Sequence, residues 1–309
     1  MPHIAILGVF VADTAYRADR QPKMGETILG RSFALGPGGK GSNQAVAAAM
    51  AGGHAGPGVH FISRLGRDAF ADIARTTWAR AGVRPVITED AESYTGAAYI
   101  FIEEATGNNA IIISPGAAGR IAVADVEAQS ALISGASVAI TQLEQPMPAA
   151  LRFLQIASAG GARTILNPAP AAPLTDEMLA LVDFATPNES EAEALTGLPV
   201  TSVAEAEKAA DALMARGVGA CVITLGEKGA LYRSRTEAVH VPAFNAGPVV
   251  ETTGAGDAFN GGFAVALAEG ESPAEAVRFG CATAAISVTR PGTAPSMPDR
   301  AEIEALLRG

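Results

Sequence analysis

Short apolar segments alternate with longer segments of helical periodicity through most of this chain. Strands are predicted at residues 4–7, 59–62, 138–143, 164–166, 184–185 and 221–224, with helices at 42–51, 70–81, 124–133, 148–157 and 204–215. A repeated strand–helix–strand order makes successive strands parallel and places the connecting helices on the faces of the sheet. The alternation therefore predicts an α/β fold, a three-layer sandwich in which helices flank a mostly parallel central sheet on both sides.

Two segments interrupt the alternation. Residues 14–35 and 94–114 have the pattern of antiparallel strands, and the second segment turns at Thr106-Gly107-Asn108-Asn109. Both would be insertions from one edge of the parallel sheet. We therefore predict a small accessory sheet, which would serve as a lid or as a dimer surface. The length of 309 residues fits either about two domains or one large α/β domain.

The composition restricts the classes of function. Hydrophobic residues make up 49% of the chain and charged residues 17%, which excludes a disordered protein. A net charge of −10 argues against nucleic acid or an anionic membrane as partner, and no apolar run approaches the roughly 18 residues of a membrane span. The N-terminal apolar stretch is too short for a signal peptide, and Cys221 and Cys281 form no CxxC pair. These features predict a cytoplasmic protein without disulfides.

The first of two glycine clusters is Gly36-Pro37-Gly38-Gly39-Lys40-Gly41-Ser42-Asn43-Gln44. It satisfies G-x-G-x-x-G, and a later strand ends in Ser63-Arg64, so the segment could belong to an NADP-binding Rossmann unit. That motif should follow the first strand of the chain, whereas here about one βαβ unit precedes it. A tight strand-to-helix turn is the other interpretation. That interpretation leaves Lys40 and Asn43 unexplained, and these two side chains beside bare backbone would suit a hydroxyl-rich ligand.

The second cluster is Glu251-Thr252-Thr253-Gly254-Ala255-Gly256-Asp257, at the start of a predicted helix. Free N–H groups at a helix start form an anion hole, which the helix dipole reinforces. Asp257 could be only a favourable partner of that dipole. It could also take a proton from an attacking hydroxyl while the hole holds the charge on a transferred phosphoryl group.

Together the two clusters resemble the paired signatures of the ribokinase family, the PfkB-type carbohydrate kinases. Further matching blocks lie between and around them in the same order as in that family. The matching blocks are Gly-Gly-Lys-Gly-Ser-Asn-Gln, Gln142-Leu143-Glu144, Leu166-Asn167-Pro168-Ala169-Pro170, Thr186-Pro187-Asn188-Glu189-Ser190-Glu191, Thr224-Leu225-Gly226 and residues 252–257. The family fold, a large α/β domain with a small β-sheet lid, agrees with the organisation predicted above. The resemblance therefore implies one kinase domain over residues 1–309, with a lid sheet formed by about 14–35 and 94–114.

The resemblance implies ATP-dependent phosphorylation of the primary hydroxyl of a sugar. Ribose, giving ribose 5-phosphate, is the first candidate, and fructose, another ketose or aldose, or a nucleoside are alternatives. An NADP-binding oxidoreductase or a catalytically silent sugar-binding protein on the same fold would be functions of a different class. The resemblance also implies ATP and Mg²⁺, a monovalent cation that is usually potassium, and a homodimer.

Roles carry over to the positions that match the family's motifs. Asp257 becomes the general base, and Gly254, Ala255 and Gly256 become the anion hole. The other implied roles are sugar binding by Asp13, Gly39, Lys40, Asn43 and Glu144, nucleotide binding by Asn188, Thr224 and Gly226, Mg²⁺ binding through water by Glu191, and monovalent-cation binding by Glu251, Thr253, Ser287, Arg290, Gly292 and Ser296.

Three positions depart from the family pattern. Val11 stands where the family has an asparagine two residues before the sugar-binding aspartate, and valine cannot hydrogen-bond a sugar. Glu251 replaces an aspartate of the cation site, and Cys281 replaces a histidine near the adenine pocket. None of the three touches the residues of phosphoryl transfer.

Overall fold

A computed structural model describes residues 2–309 as two sheets with surrounding helices. The strands are β1 (His3–Leu7), β2 (Val11–Ala18), β3 (Ser32–Gly38), β4 (Gly58–Leu65), β5 (Arg84–Glu89), β6 (Thr95–Glu103), β7 (Asn109–Gly116), β8 (Val138–Thr141), β9 (Arg163–Leu166), β10 (Phe184–Ala185), β11 (Ala220–Thr224), β12 (Ala230–Arg233) and β13 (Ala238–Val241).

The helices follow the strands in chain order. They are α1 (Lys40–Gly52), α2 (Ala69–Ala81), α3 (Val123–Glu127), α4 (Ser130–Ser134), α5 (Met147–Ala159), α6 (Asp176–Leu179), α7 (Glu189–Thr196), α8 (Val203–Ala215), α9 (Ala255–Glu269), α10 (Pro273–Ser287) and α11 (Arg300–Arg308), with short 3-10 helices at Ala117–Arg120, Gly226–Lys228 and Ala294–Ser296. Over residues 2–309, none of these helices combines the length and the apolar character that a transmembrane segment requires.

Nine strands form the central sheet, in the order β13-β12-β11-β10-β9-β8-β1-β4-β5. Strand β1 lies parallel to both β8 and β4, whereas β12 is antiparallel to β11 and β13. Both faces of β1 are buried. Ile4 and Ile6 pack with α1, α2, α9, α10 and α11, while Ala5 and Leu7 pack with α3, α4 and α5. Because helices cover both faces of the sheet, the predicted three-layer α/β fold is confirmed.

Two predicted elements have different bounds in the structure. The helix predicted over 124–133 is divided into α3 and α4, and the Ser130 hydroxyl donates to the Glu127 carbonyl at the break, 2.6 Å away. A hydroxyl that donates to a backbone carbonyl competes with the backbone N–H group that would bond to that carbonyl in a continuous helix. The strand predicted over 138–143 ends at Thr141 instead. The residues after Thr141 are therefore free to turn away from the sheet.

The second sheet has four strands in the order β3-β2-β6-β7. Strands β2 and β3 are antiparallel, as are β6 and β7, and the two pairs join through a parallel contact of β2 with β6. The pair formed by β2 and β3 extends beyond the predicted range of 14–35 at both ends, since Val11 pairs with Gly38. A small accessory sheet is therefore present, built from two segments that leave the central sheet.

Strand β3 also decides how the first glycine cluster is used. Gly36 and Gly38 lie within β3 of the small sheet, and α1 begins at Lys40. A dinucleotide-binding turn would instead connect a central strand of the parallel sheet to its helix. The topology therefore argues against the Rossmann interpretation.

Helices α1 and α9 approach each other closely on one face of the central sheet. A Cβ atom at Gly261 would meet the Cβ of Ala47 and would lie 2.7 Å from the backbone nitrogen of Ala48. The absence of a side chain at Gly261 thus lets the two helices pack backbone to backbone. This contact brings the first turns of α1 and α9, which carry the two glycine clusters, side by side.

Candidate active site

Polar residues collect at the carboxyl end of the central sheet, where ligands of open α/β sheets bind. Gln142 follows the end of β8, Asn167 follows β9 and Thr186 follows β10. The first turns of α1 and α9 lie against these strand ends, since Gln44 of α1 donates hydrogen bonds both to Asn167 and to Asp257. The candidate active site is built at this junction.

Asp257 is the most buried carboxylate of the site, with 7% of its surface exposed. One carboxylate oxygen accepts from Asn43 Nδ2 at 3.1 Å, and the other accepts from Gln44 Nε2 at 3.0 Å. Burial raises the pKa of Asp257, whereas the positive charge of Lys40 and the hydrogen bonds from the two side-chain amides lower it. The carboxylate is thus held in one orientation by two donors while it is kept basic by burial.

The predicted anion hole lies at the start of α9. Gly254 is the N-cap residue with φ of 84°, a left-handed conformation that glycine adopts without strain. The Ala255 N–H donates to the Thr252 carbonyl at 3.1 Å, so it is already used within the turn. The Ala255 N–H is therefore not free in this turn, and the anion hole of Gly254, Ala255 and Gly256 stays a prediction. Gly254 and Gly256, with the remaining first-turn amides, are the candidate donors to a phosphoryl oxygen.

The predicted sugar-binding residues surround Asp257. The Lys40 N–H donates to Glu144 Oε2 at 2.8 Å, and the charges of Lys40, Asp257 and Asp13 all act on Glu144. The Asp13 carboxylate lies against Gly38, where a Cβ atom would collide with it. Burial raises the pKa of Asp13 to about 6. Three carboxylates and one ammonium group therefore face one space, an arrangement suited to a ligand with several hydroxyl groups.

Gly39 connects the small sheet to α1, and its conformation is one that only glycine adopts readily. Its φ is 89°, and a Cβ atom there would lie 2.5 Å from the Val9 carbonyl oxygen and 2.9 Å from Phe10 Cα. Any other side chain would push the start of α1 away from the segment that enters β2. Gly39 therefore fixes the relation between Lys40, Asn43 and Asp13.

The predicted nucleotide-binding residues are also brought together. Thr224, at the end of β11, bridges to Asn188, and its N–H donates to the Pro187 carbonyl at 3.0 Å. Gly226 follows in the adjacent 3-10 turn with φ of 54°. These positions are exposed or half-buried, so their polar groups remain accessible to a ligand.

Asn188 and Glu191 form a capping box at the start of α7. Asn188 Oδ1 accepts from the Glu191 N–H, and Glu191 Oε2 accepts from the Asn188 N–H, each at 2.9 Å. Burial raises the pKa of Glu191, and the charges of Lys40 and Asp257 reach it. Its second carboxylate oxygen remains for a water molecule of a hydrated cation. Since Mg²⁺ keeps several of its waters in proteins, this donor set fits Mg²⁺ held through water.

The two segments predicted to hold a monovalent cation lie beside each other. Glu251 accepts from the Gly292 N–H at 2.8 Å, and the N–H groups of Val250 and Glu251 both donate to the Val288 carbonyl. Carboxylate and carbonyl oxygens at this junction fit a hard cation. The side chain of Arg290 instead pairs with Glu302, which leaves only its backbone carbonyl as a ligand. The hydroxyls of Ser287 and Ser296 donate to the carbonyls of Ala284 and Thr293.

Two further departures from the family pattern have clear surroundings. Val11 is 6% exposed at the start of β2, two residues from Asp13 and so on the same face of the strand. Cys281 packs in the apolar core of α9 and α10, and burial raises the pKa of its thiol to about 12. The thiol therefore offers neither a charge nor a strong hydrogen-bonding group to a nucleotide base.

Several site residues were not predicted from the sequence. Gln44, Gln142, Asn167, Thr186 and Asn260 are buried and joined by hydrogen bonds around Asp257. The available signal was their position, since three of them follow strands directly and Gln44 lies in the first glycine cluster. Amide side chains in such apolar surroundings need hydrogen-bond partners, so a network among them could have been predicted.

Burial of Glu144 has a consequence for stability. Burial raises its pKa from the ordinary value of 4.5 to about 7. Because the folded state then holds the proton more tightly than the unfolded state, stability falls as pH rises from about 4.5 to 7 and stays lower above that range. We expect Glu144→Gln to be more stable than the wild type at pH 8 by about 2 kcal/mol, with little difference near pH 4.5.

Urea unfolding of both proteins at the two pH values measures this difference. Glu271→Gln, at an exposed position just after α9, is the matched control and should equal the wild type at both. A Glu144→Gln protein whose advantage does not grow between pH 4.5 and pH 8 would contradict the prediction.

The fold and the site can be compared with known proteins. Residues 1–300 match the model of the pfkB family carbohydrate kinases. The chain is 38% identical to the ribokinase of Haemophilus influenzae, covering 97% of this chain and 96% of that protein. It is 35% identical to the deoxyribokinase of Salmonella typhimurium over 96% of this chain and 95% of that protein.

Solved structures agree. The Arabidopsis thaliana ribokinase complexed with ribose and ATP superposes with a TM-score of 0.92 and 31% identity, over 100% of this chain and 99% of that one. The Thermotoga maritima ribokinase gives 0.89 and 36% with complete coverage of both chains. These matches overturn the oxidoreductase and silent-binder alternatives. From the family model and these full-length relatives, we conclude that the chain belongs to the pfkB family and is a carbohydrate kinase, a phosphotransferase.

Proposed function

We propose that this protein transfers the γ-phosphoryl group of ATP to the primary hydroxyl of ribose, giving ribose 5-phosphate and ADP. The observation that carries the proposal is Asp257, a buried carboxylate held by two amides in the first turn of α9, directly beside the anion hole. The named activity of the Haemophilus influenzae relative and the ribose and ATP bound to the Arabidopsis thaliana protein support the choice of substrates.

Each group of the site would have one task. Asp257 accepts the proton of the sugar hydroxyl while that oxygen bonds to the γ-phosphorus, and the bond from phosphorus to the bridging oxygen of ADP breaks. The N–H groups of Gly254 and Gly256 stabilise the charge on the transferred group. Asp13, Gly39, Lys40, Asn43 and Glu144 orient the sugar, and Asn188, Thr224 and Gly226 bind the nucleotide.

Two cations complete the proposal. Mg²⁺, bound through water near Glu191, would supply charge neutralisation to the phosphates. A monovalent cation, which we propose to be potassium, would be held by Glu251 and Thr253 with Ser287, Arg290, Gly292 and Ser296, mainly through backbone carbonyls. Because this loop lies just before the anion hole, the cation would set the position of Gly254.

We further propose that residues 1–309 act as one kinase domain and that the small sheet is its lid. Asp13 of β2 reaches the sugar side of the site from the small sheet, whereas Asp257 belongs to the large layer. Closure of the sheet would therefore bring Asp13 onto the sugar and exclude water, which suppresses wasteful ATP hydrolysis.

A panel of sugars and nucleosides with Mg-ATP tests the function, with ADP release measured in potassium and in sodium. The expected result is highest kcat/KM with a pentose and dependence on potassium. Turnover with fructose or a nucleoside alone would replace ribose by that acceptor, and no turnover with any acceptor would refute the sugar-kinase proposal.

A second candidate acceptor is 2-deoxyribose, and Val11 favours it. Gly38 lies opposite Val11 in the sheet register and also contacts the Asp13 carboxylate, so Val11 forms an apolar wall beside Asp13. Valine can contact a methylene group but leaves a hydroxyl group without a partner. A relative from Salmonella typhimurium at 35% identity is named deoxyribokinase, which also supports 2-deoxyribose as a candidate.

Val11→Asn tests this assignment. We expect the ratio of kcat/KM for ribose to that for 2-deoxyribose to rise by about tenfold, because asparagine restores one hydrogen bond to a hydroxyl. Both acceptors are assayed with the same Mg-ATP concentration. A ratio that equals that of the wild type would show that Val11 does not select between them.

The small sheet also supports a homodimer. Tyr16, Phe33, Leu35 and Ile112 lie on one face of the sheet and are 42%, 56%, 45% and 66% exposed, with the Tyr16 and Phe33 rings 5.0 Å apart. An apolar sheet face of this kind is an expected contact surface. Sedimentation velocity of the wild type and of Phe33→Ser tests the proposal, since only the former should sediment as a dimer.

A further inference from the structure

A chain of buried side-chain hydrogen bonds runs beneath Asp257 and joins three strand ends to two helices. Gln142, after β8, donates its Nε2 to Gln44 Oε1 at 2.6 Å. Gln44 Nε2 donates in turn to Asp257 at 3.0 Å and to Asn167, after β9, at 3.1 Å. Gln44 is therefore the branch point of the chain.

The same chain continues to the anion hole. Asn167 Nδ2 donates to the Thr186 carbonyl at 3.0 Å, and the Thr186 hydroxyl donates to Asn260 Oδ1 at 2.7 Å. Asn260 Nδ2 then donates to the Gly256 carbonyl at 2.8 Å. One end of the network thus contacts the carboxylate, and the other contacts the peptide of the first turn of α9.

The orientation of the Gln44 amide follows from this pattern. An amide has one acceptor end and one donor end. Since Gln142 donates to the oxygen of Gln44, the Gln44 nitrogen must face Asp257 and Asn167. Space for the Gln142 amide comes from Gly8 and Gly41, where a Cβ atom would collide with Gln142 Oε1 or lie 2.9 Å from it.

Gln44 and Asn43 each donate a hydrogen bond to Asp257, but they differ in whether an acceptor is left over. Asn43 donates to one carboxylate oxygen, and its own Oδ1 has no hydrogen-bond partner within residues 2–309, although Asn43 is 4% exposed. Asn43 therefore retains an acceptor that no protein group uses, whereas both polar side-chain atoms of Gln44 are hydrogen-bonded within the protein. Gln44 serves the carboxylate and has nothing left for a substrate.

We propose that Gln44 is a positioning residue for phosphoryl transfer, which fixes the Asp257 carboxylate and couples it, through the ends of β9 and β10, to the first turn of α9 that carries the anion hole. This inference rests on the proposed role of Asp257 as the general base. A donor on the second carboxylate oxygen prevents rotation of the carboxylate and stabilises its charged form. The Asp257 oxygen that accepts from Asn43 thereby keeps its remaining lone pair directed toward the sugar hydroxyl.

Other charges also act on this space, and an experiment must separate them from Gln44. Lys40 of α1, Glu144 after β8 and Glu191 of α7 all interact with Asp257, and Asp13 of β2 acts on Glu144. None of these side chains is hydrogen-bonded to Gln44 within the described part of the chain. Substituting Gln44 therefore leaves their own contacts in place, and their effects cancel when variants are compared.

The test compares Gln44→Met, which keeps the length of the side chain without its amide, with Gln145→Met as the matched control. Gln145 is also a buried amide just after β8, but its Nε2 donates to the Thr141 hydroxyl and the Gln142 carbonyl, so Gln145→Met keeps both donors to Asp257 and their orientation. For Gln44→Met we expect kcat to fall about 10- to 100-fold. The acid limb of the profile of kcat against pH should move to higher pH by on the order of one unit. Gln145→Met should keep the acid limb of the wild type.

Gln44→Glu is the second variant, in case Gln44→Met does not fold. A carboxyl group at this position can still accept from Gln142, and it would share a proton with Asp257, which also moves the acid limb to higher pH. Thermal unfolding identifies folded proteins before the kinetics are measured. An acid limb that coincides with that of the wild type in a folded Gln44 variant overturns the inference, whereas a wild type without turnover refutes the proposed function itself.

Discussion

Asp257→Asn is expected to lower kcat by roughly 10³-fold while ATP and the sugar still bind. The amide cannot take the proton of the attacking hydroxyl, so the loss appears in kcat and hardly in KM. The fold should stay stable, because the substitution removes a charge that is 7% exposed and whose burial is unfavourable. Steady-state kinetics, isothermal titration with each ligand and thermal unfolding measure the three effects.

Asp72→Asn is the matched control for this substitution. Asp72 lies exposed in the first turn of α2, so it shares with Asp257 a position at a helix start but has no contact with the site. It should retain the wild-type kcat. If Asp257→Asn instead lost the binding of both ligands, Asp257 would have a structural role and the assignment of the general base would be wrong.

Gly39→Ala is expected to destabilise the protein by about 2–4 kcal/mol and to lower kcat/KM for the sugar about 100-fold. Alanine at φ of 89° is strained, and its Cβ would lie 2.5 Å from the Val9 carbonyl oxygen. Relief of that contact must move the start of α1, which carries Lys40 and Asn43. Denaturant unfolding and kinetics at varied sugar concentration measure the two effects.

Gly36→Ala provides a control within the same glycine cluster. No atom lies within 4 Å of a Cβ built at Gly36, and its backbone is not in the left-handed region. Its stability should stay within about 0.5 kcal/mol of the wild type. Equal stabilities of Gly39→Ala and the wild type would show that the turn before α1 adapts, and that its conformation does not fix the site.

Much of the fold could be predicted because its signals are local. The short apolar runs marked β1, β4, β9, β10 and β11 to within three residues at each end, since a strand buried on both faces needs continuous apolar side chains. Predictions failed where a local pattern met a competing contact. The Ser130 hydroxyl divided the helix predicted over 124–133, and β8 ended before Gln142.

The small sheet shows the same limit. Hairpin signals within residues 94–114 predicted β6 and β7, which are joined by a short turn. The parallel contact of β2 with β6 joins segments more than 80 residues apart, and no periodicity within either segment encodes which partner it will choose. Strand order depends on tertiary packing.

For the candidate site, the sequence by itself determined the chemical groups: the glycine-opened helix start, Asp257 within it, and Lys40 and Asn43 after the first cluster. Only the tertiary structure decided how they act together. The Gln44 amide meets a carboxylate 213 positions away, the Ala255 N–H is used within its own turn, and the Arg290 side chain turns to Glu302. A residue's type and neighbours set what bonds it can form, but burial and the competition among partners, which exist only in the packed chain, set the bonds that it does form.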